Sequence, residues 1–263
     1  MLSKRKKLIA NSYHMCYNGN VDRKWGIDLQ SKEDIKREYN EFIREKIKGY
    51  EMTAKIIGRT IRRMQCEDLI SENVRVKGRV KSFESAYNNF GKKKVDDCFG
   101  IRIIGKDDEI EKIEKQIEQI LIIEKVKDHR KRAETDYNAI HQMVYLNLIE
   151  VASLLNKQNE YYLSDEGLKL ISKFFPIVEI QYWDEEMDKK CKRGNLSYLN
   201  YKHKDINRII ELYRTNPKAL FGELPDFYVI QGKEMQLLSK EETLLEMYPE
   251  ILAINAQAVT LER

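Results

Sequence analysis

At 263 residues the chain is long enough for one large domain, or for one domain with appendages. Apolar residues at 42% and charged residues at 34% supply a core and exclude a disordered chain. No run approaches the roughly 18 apolar residues of a membrane span, and the 47 basic and 43 acidic residues nearly cancel.

From the N-terminus, Lys4 to Lys7 is followed by only Leu8, Ile9 and Ala10, too short for a signal-peptide core. The four cysteines, Cys16, Cys66, Cys98 and Cys191, have no paired spacing for zinc or redox chemistry. A reduced, cytoplasmic protein is expected. Residues 31 to about 70 read as helix. Ser31 and Asp34 cap it, and Ile35, Tyr39, Phe42, Ile43, Ile47, Tyr50, Ile57, Ile61 and Met64 mark one apolar stripe. Gly49 or Gly58 is a candidate break.

Strands are predicted at Val74 to Val80, Phe99 to Ile104, Ile122 to Val126, Met143 to Ile149 and Ile177 to Trp183. Helices are predicted over 107–121, where Ile110, Ile113, Ile117, Ile120 and Leu121 face inward, and over 151–175. Strands interleaved with helices give an α+β (α/β-like) domain on a mixed sheet of about five strands. A helix at Ile206 to Tyr213, a stretch punctuated by Pro and Gly, and a last helix opened by Ser239 and Glu242 complete the chain. The expected organisation is an N-terminal helical region over 1–72, a core over 73–205 and a C-terminal helical appendage over 206–263, for regulation, oligomerisation or capping of the core.

The chemistry-bearing residues form an ordered series. Arg79-Val80-Lys81-Ser82, followed by Ser85, sets two cations and two hydroxyls at a strand end. Asp96-Asp97 introduces Cys98-Phe99-Gly100-Ile101-Arg102. An acid opening a buried strand is costly unless it meets a metal or a cation. Tyr137-Asn138-Ala139-Ile140-His141 brings an aromatic and an imidazole to another strand. Val178-Glu179-Ile180-Gln181 embeds a carboxylate in an apolar strand, and Glu179, Gln181 and Trp183 share one face. Magnesium is a hard cation held by one or two carboxylates and by substrate phosphates, and Asp97 with Glu179 offers that pair. Each residue also has a plainer reading: Glu179 facing water, Tyr137 a loop aromatic, His141 a core histidine, Arg102 on an edge strand.

This series resembles the synthetase domain of the RelA/SpoT family over roughly residues 50–205. The resemblance implies a nucleotidyltransferase-type sheet and transfer of pyrophosphate from ATP to a ribose 3′-hydroxyl. It implies that Arg79 and Arg102 sandwich the adenine and that Lys81, Ser82 and Ser85 hold the phosphates. Asp97 and Glu179 are then the catalytic pair and ligate magnesium, Glu179 helping with the metal or taking the hydroxyl proton. Tyr137 stacks on the acceptor base, with His141 as a phosphate or orienting contact. No hydrolase domain fits before position 73, so synthesis without degradation is expected.

Four features depart from the family's pattern. Asn89 stands for a lysine, Arg130 to Asp136 for a segment with Pro-Lys and Asn-Gly, Trp183 for an arginine, and Tyr198, ahead of Tyr201-Lys202, for a histidine. The altered groups are those around a free guanine nucleotide. The acceptor reading therefore leans to the 3′-CCA end of tRNA, as in the family's toxins, with a neutralising antitoxin as partner. Lys4 to Lys7, Arg59, Arg62, Arg63 and Lys127 to Arg132, Arg130 and Arg132 among them, would be the RNA track. The alternatives are a small alarmone synthetase making (p)ppGpp from ATP and GDP or GTP, assembled as a homo-oligomer, and an inactive binding module.

Overall fold

The computed structural model describes residues 31–87, 97–130, 137–147, 174–193, 205–249 and 251. Helix α1 (Lys32–Cys66) starts where the sequence places it. The Ser31 side chain accepts from the Asp34 amide at 3.1 Å, and Glu33 and Asp34 sit in the first turn, where the helix dipole favours acids. The helix runs unbroken through both candidate breaks. A Cβ on Gly49 would stand 2.0 Å from the Phe174 carbonyl oxygen, and one on Gly58 would stand 2.3 Å from that of Gly232. These glycines let other backbone press against the helix; they do not interrupt it.

The strands are β1 (Arg75–Val80), β2 (Phe99–Ile104), β3 (Leu121–Asp128), β4 (Ala139–Leu146) and β5 (Val178–Trp183), with β6 (Asp226–Gln231) and β7 (Glu234–Leu237) from the C-terminal region. They form one seven-stranded sheet in the order β3-β4-β5-β2-β1-β6-β7. Among the described residues, only the β2–β5 pair is parallel. The mixed α+β sheet is as expected, but it has two more strands than the sequence suggested. β6 joins β1 and extends the sheet from the tail.

Helix α3 (Asp107–Ile120) and α1 cover one face, the back. There Tyr50, Ala54, Ile57, Phe99, Ile101, Ile103, Ile113 and Ile117 are sealed from water. Helix α2 (Phe83–Ala86) follows the end of β1 and packs on α1, Phe83 against Tyr39. The front carries short helices: α4 (Glu185–Arg193) after β5, and α5 (Ile206–Thr215), α6 (Pro217–Glu223) and α7 (Lys240–Met247) from the tail. The tail helices build a second apolar cluster on Phe227, which faces forward opposite Arg79. α7 carries the expected Ser239–Glu242 capping box. No described helix is long and apolar enough to cross a membrane. The helix expected over 151–175 falls outside the described residues up to position 173, as do Asn89, Asp96, Arg132, Tyr198, Tyr201 and Lys202.

Candidate active site

Register decides which side chains share the front. Directly paired residues point to the same face, so Arg79 with Gly100 and Lys77 with Arg102 belong together. The parallel pairs Gly100–Glu179 and Arg102–Gln181 extend the row to β5, and Gln181–His141 extends it to β4. Four strands thus deliver Arg79, Arg102, Glu179, Gln181 and His141 to one surface. Tyr137, from the segment entering β4, joins them.

Glu179 is 6% exposed. His141 Nδ1 lies 3.0 Å from its Oε1, and the Gln181 amide donates to its Oε2 at 2.8 Å. Burial pushes the Glu179 carboxyl upward. The His141 hydrogen bond and charge, the Arg79 charge and the Gln181 amide outweigh that and hold it down at about 2. An ionised carboxylate only accepts, so His141 carries a proton on Nδ1, and its Nε2 faces the Tyr137 hydroxyl at 2.7 Å. Tyr137 stands edge-on to Trp183, and His129, with no role expected from the sequence, stands edge-on to His141 at 4.7 Å.

The Arg102 guanidinium lies 3.4 Å from the Trp183 ring centroid and donates to Gln181 Oε1 at 3.3 and 3.4 Å. Burial and the nearby Arg79 charge lower it to about 10, so it remains a cation at neutral pH. Two guanidinium groups crowd each other here, and a planar or anionic guest between them would relieve that repulsion.

At the far end of β1, Lys81 forms an ion pair with Asp97 in the turn before β2. Asp97 precedes Gly100, the neighbour of Glu179, by about 10 Å of extended chain. Both acids are hard oxygen donors of the kind magnesium takes. Among the described residues no three His, Cys, Asp or Glu side chains cluster as a metal site. A cage is not required, because magnesium accepts one or two carboxylates with substrate phosphates and water. The donor set fits that ion.

Ser82 caps α2, accepting from the Ser85 amide, and its hydroxyl donates to the Glu223 carbonyl at 2.8 Å. Ser85 lies beside it, the two hydroxyl oxygens 3.3 Å apart. Arg130 is apart from the row, forked onto Asp128 in its own turn at 3.1 Å. Arg59, Arg62 and Arg63 lie on the helix behind the sheet, with Arg62 engaged by Glu72. Lys125 and Lys127 are exposed on the front of the edge strand β3, opposite Met143 and His141.

Sequence reasoning did not single out Lys77 and Glu246, which form an ion pair linking β1 to α7. It also missed Asp188, whose side chain is 3% exposed and takes Arg75 and Lys192, each at 3.1 Å. Nothing local marks these residues. Trp183 was marked, by its shared face with Glu179.

No protein-family model matches the chain, and no curated protein sequence matches it. Among solved structures it is similar to small alarmone synthetase 1 from Bacillus subtilis, at 18% identity, 66% of this chain, 85% of that chain and TM-score 0.43. It is similar to the same synthetase bound to its product pppGpp, at 17% identity, 67% and 87% coverage and TM-score 0.44. Small alarmone synthetase 2 from Bacillus subtilis matches at 19% identity, 85% and 96% coverage and TM-score 0.40.

Proposed function

We propose that the chain is an ATP-dependent pyrophosphokinase of the RelA/SpoT type. One observation carries this reading: residues in the family's order, scattered from Arg79 to Glu179, meet on one sheet face around a buried, ionised carboxylate. In this reading the adenine slides between Arg79 and Arg102, the latter already backed by Trp183. Lys81, Ser82 and Ser85 take the phosphates, Ser82 giving up its bond to Glu223. Asp97 and Glu179 would hold magnesium, which supplies charge neutralisation on the phosphate oxygens.

The acceptor's 3′-oxygen attacks the β-phosphorus, the bond to the α,β-bridging oxygen breaks, and AMP leaves. The hydroxyl proton passes to the Glu179–His141 pair. The transition state is loose, so positioning and charge neutralisation do most of the work, and a strong base is not needed.

For the acceptor, the reading favours the 3′-CCA end of tRNA in a translation-blocking toxin with a neutralising antitoxin. Trp183 supports it: an arginine there would add charge for free nucleotide phosphates, whereas this chain spends the position on stacking Arg102. Lys125 and Lys127 flank the site as backbone contacts. A second reading, a small alarmone synthetase acting on GDP or GTP and assembled as a homo-oligomer, draws support from Arg59, Arg62 and Arg63. Their place behind the sheet shortens the RNA track. The domain reading keeps 73–205 as the synthetase core, with α1 packed on it and the C-terminal region adding β6 and β7 to its sheet.

The test is to incubate the protein with magnesium and γ-labelled ATP and to offer deacylated tRNA, GDP or GTP separately. Label on tRNA alone is the expected result. Label on a guanine nucleotide alone would give the second reading, and label on none would leave the inactive module.

A further inference from the structure

Tyr50 lies on α1, behind the sheet, and is fully buried. Its hydroxyl accepts from the Arg79 amide at 2.9 Å and donates to the Gly100 carbonyl at 2.8 Å. Arg79 and Gly100 are cross-strand partners in the antiparallel β1–β2 pair. The Lys81 amide donates to the Cys98 carbonyl at 2.8 Å, so the hydrogen-bonded pair two residues along is Arg79–Gly100. A helix side chain therefore enters the ladder at the one rung from which Arg79 projects forward and beside which Glu179 sits. Gly78 makes room for it: a Cβ there would stand 2.5 Å from the Tyr50 hydroxyl. Three turns earlier on α1, the Tyr39 hydroxyl donates to the Lys81 carbonyl. The same helix thus grips β1 behind Arg79 and again behind Lys81.

We propose that Tyr50, supported by Tyr39, is a positioning residue for the donor nucleotide: its hydroxyl sets the β1–β2 rung that aims Arg79 at the base. The inference rests on the donor-site reading above. Tyr50 touches no substrate; it acts through backbone. Burial pushes its hydroxyl well above the usual tyrosine range, which keeps the proton it donates to Gly100. A tyrosine needed only to fill the core would be replaced by phenylalanine with no functional trace, because the ring packing on Phe99 and Tyr228 would survive.

The experiment measures binding of a non-hydrolysable α,β-methylene ATP analogue by titration calorimetry, with melting temperature recorded alongside, for wild type, Tyr50→Phe, Gly78→Ala and the double variant. Tyr50→Phe should bind the analogue about five- to tenfold more weakly, the scale of one lost hydrogen bond. In turnover its KM for ATP should rise while kcat changes less. Gly78→Ala should weaken binding similarly by displacing the hydroxyl, and should cost less stability in the Tyr50→Phe background, where part of the collision is gone. The double variant should bind no worse than the weaker single one. Unchanged affinity in Tyr50→Phe with a lowered melting temperature would overturn the proposal, and so would additive losses in the double variant. If Tyr50→Phe fails to fold, Tyr39→Phe takes the same measurement: weaker binding supports the helix grip, and unchanged binding overturns it. A wild type that does not bind the analogue would instead remove the donor site itself, and the inference with it.

Discussion

A carboxylate as buried as Glu179 stays ionised only where its neighbours replace the water it has lost. His141, Arg79 and Gln181 do so together, and none adjoins it in sequence as a charge partner. Its folded pKa of about 2 lies below the roughly 4.3 of an unfolded glutamate. The group therefore adds stability that is complete above pH about 4 and is lost as the pH falls through about 2. Up to about 3 kcal/mol follows from that shift. Melting curves of wild type and Glu179→Gln should differ at pH 6 and converge near pH 2. Curves that stay parallel down to pH 2 would show that the carboxylate is not held this way.

Catalysis should respond more sharply than stability. Glu179→Gln should lower kcat by about a thousandfold or more with the fold kept, the scale of losing one charge-stabilising group in a dry site. Asp97→Asn should abolish turnover while far-UV circular dichroism is unchanged. Strand alternation made the shared face of Glu179, Gln181 and Trp183 legible. The depth of the burial was not legible, because it depends on β4 lying alongside β5.

At the scale of elements, long apolar stripes and caps read well. Ser31, Ser239 and the isoleucines of α3 all sit where their spacing placed them. Glycine was the weak point. Gly49 and Gly58 looked like breaks, since intrinsic propensity disfavours glycine in a helix, but tertiary contact overrides propensity where another backbone must come close. Gly58→Ala should accordingly destabilise by about 1–3 kcal/mol, an overpacking cost, in urea unfolding. A neutral or stabilising effect would mean that α1 does not press on the Gly232 turn.

The tail hairpin was missed for the opposite reason. Pro225 and Gly232 suggested loop, yet between them Phe227, Tyr228, Val229 and Ile230 have a strand's composition. Pro225 precedes β6, and Gly232, at φ +58°, makes the turn into β7.

Across the whole molecule, the C-terminal region is built into the front face. β6 and β7 lengthen the sheet, Glu223 holds Ser82, and Glu246 meets Lys77 and, at 3.6 Å, Lys192. Asp188 ties α4 to β1 through Arg75. The Lys77–Glu246 and Arg75–Asp188 pairs link segments more than a hundred residues apart, which is why no local pattern revealed them. Asp188→Ala should cost about 1.5–3 kcal/mol in denaturant unfolding, the range for losing hydrogen bonds to charged groups. No loss would mean that Arg75 and Lys192 are held from elsewhere.

The nucleotide left behind is the most direct test of the chemistry. ATP, magnesium and the acceptor are incubated with wild type and with Glu179→Gln, and the adenine nucleotides are separated by ion-exchange chromatography. AMP appearing mole for mole with an acceptor that has gained two phosphates, and absent from the variant, is the expected result. ADP with a singly phosphorylated acceptor, or AMP formed equally by the variant, would contradict pyrophosphate transfer at this face.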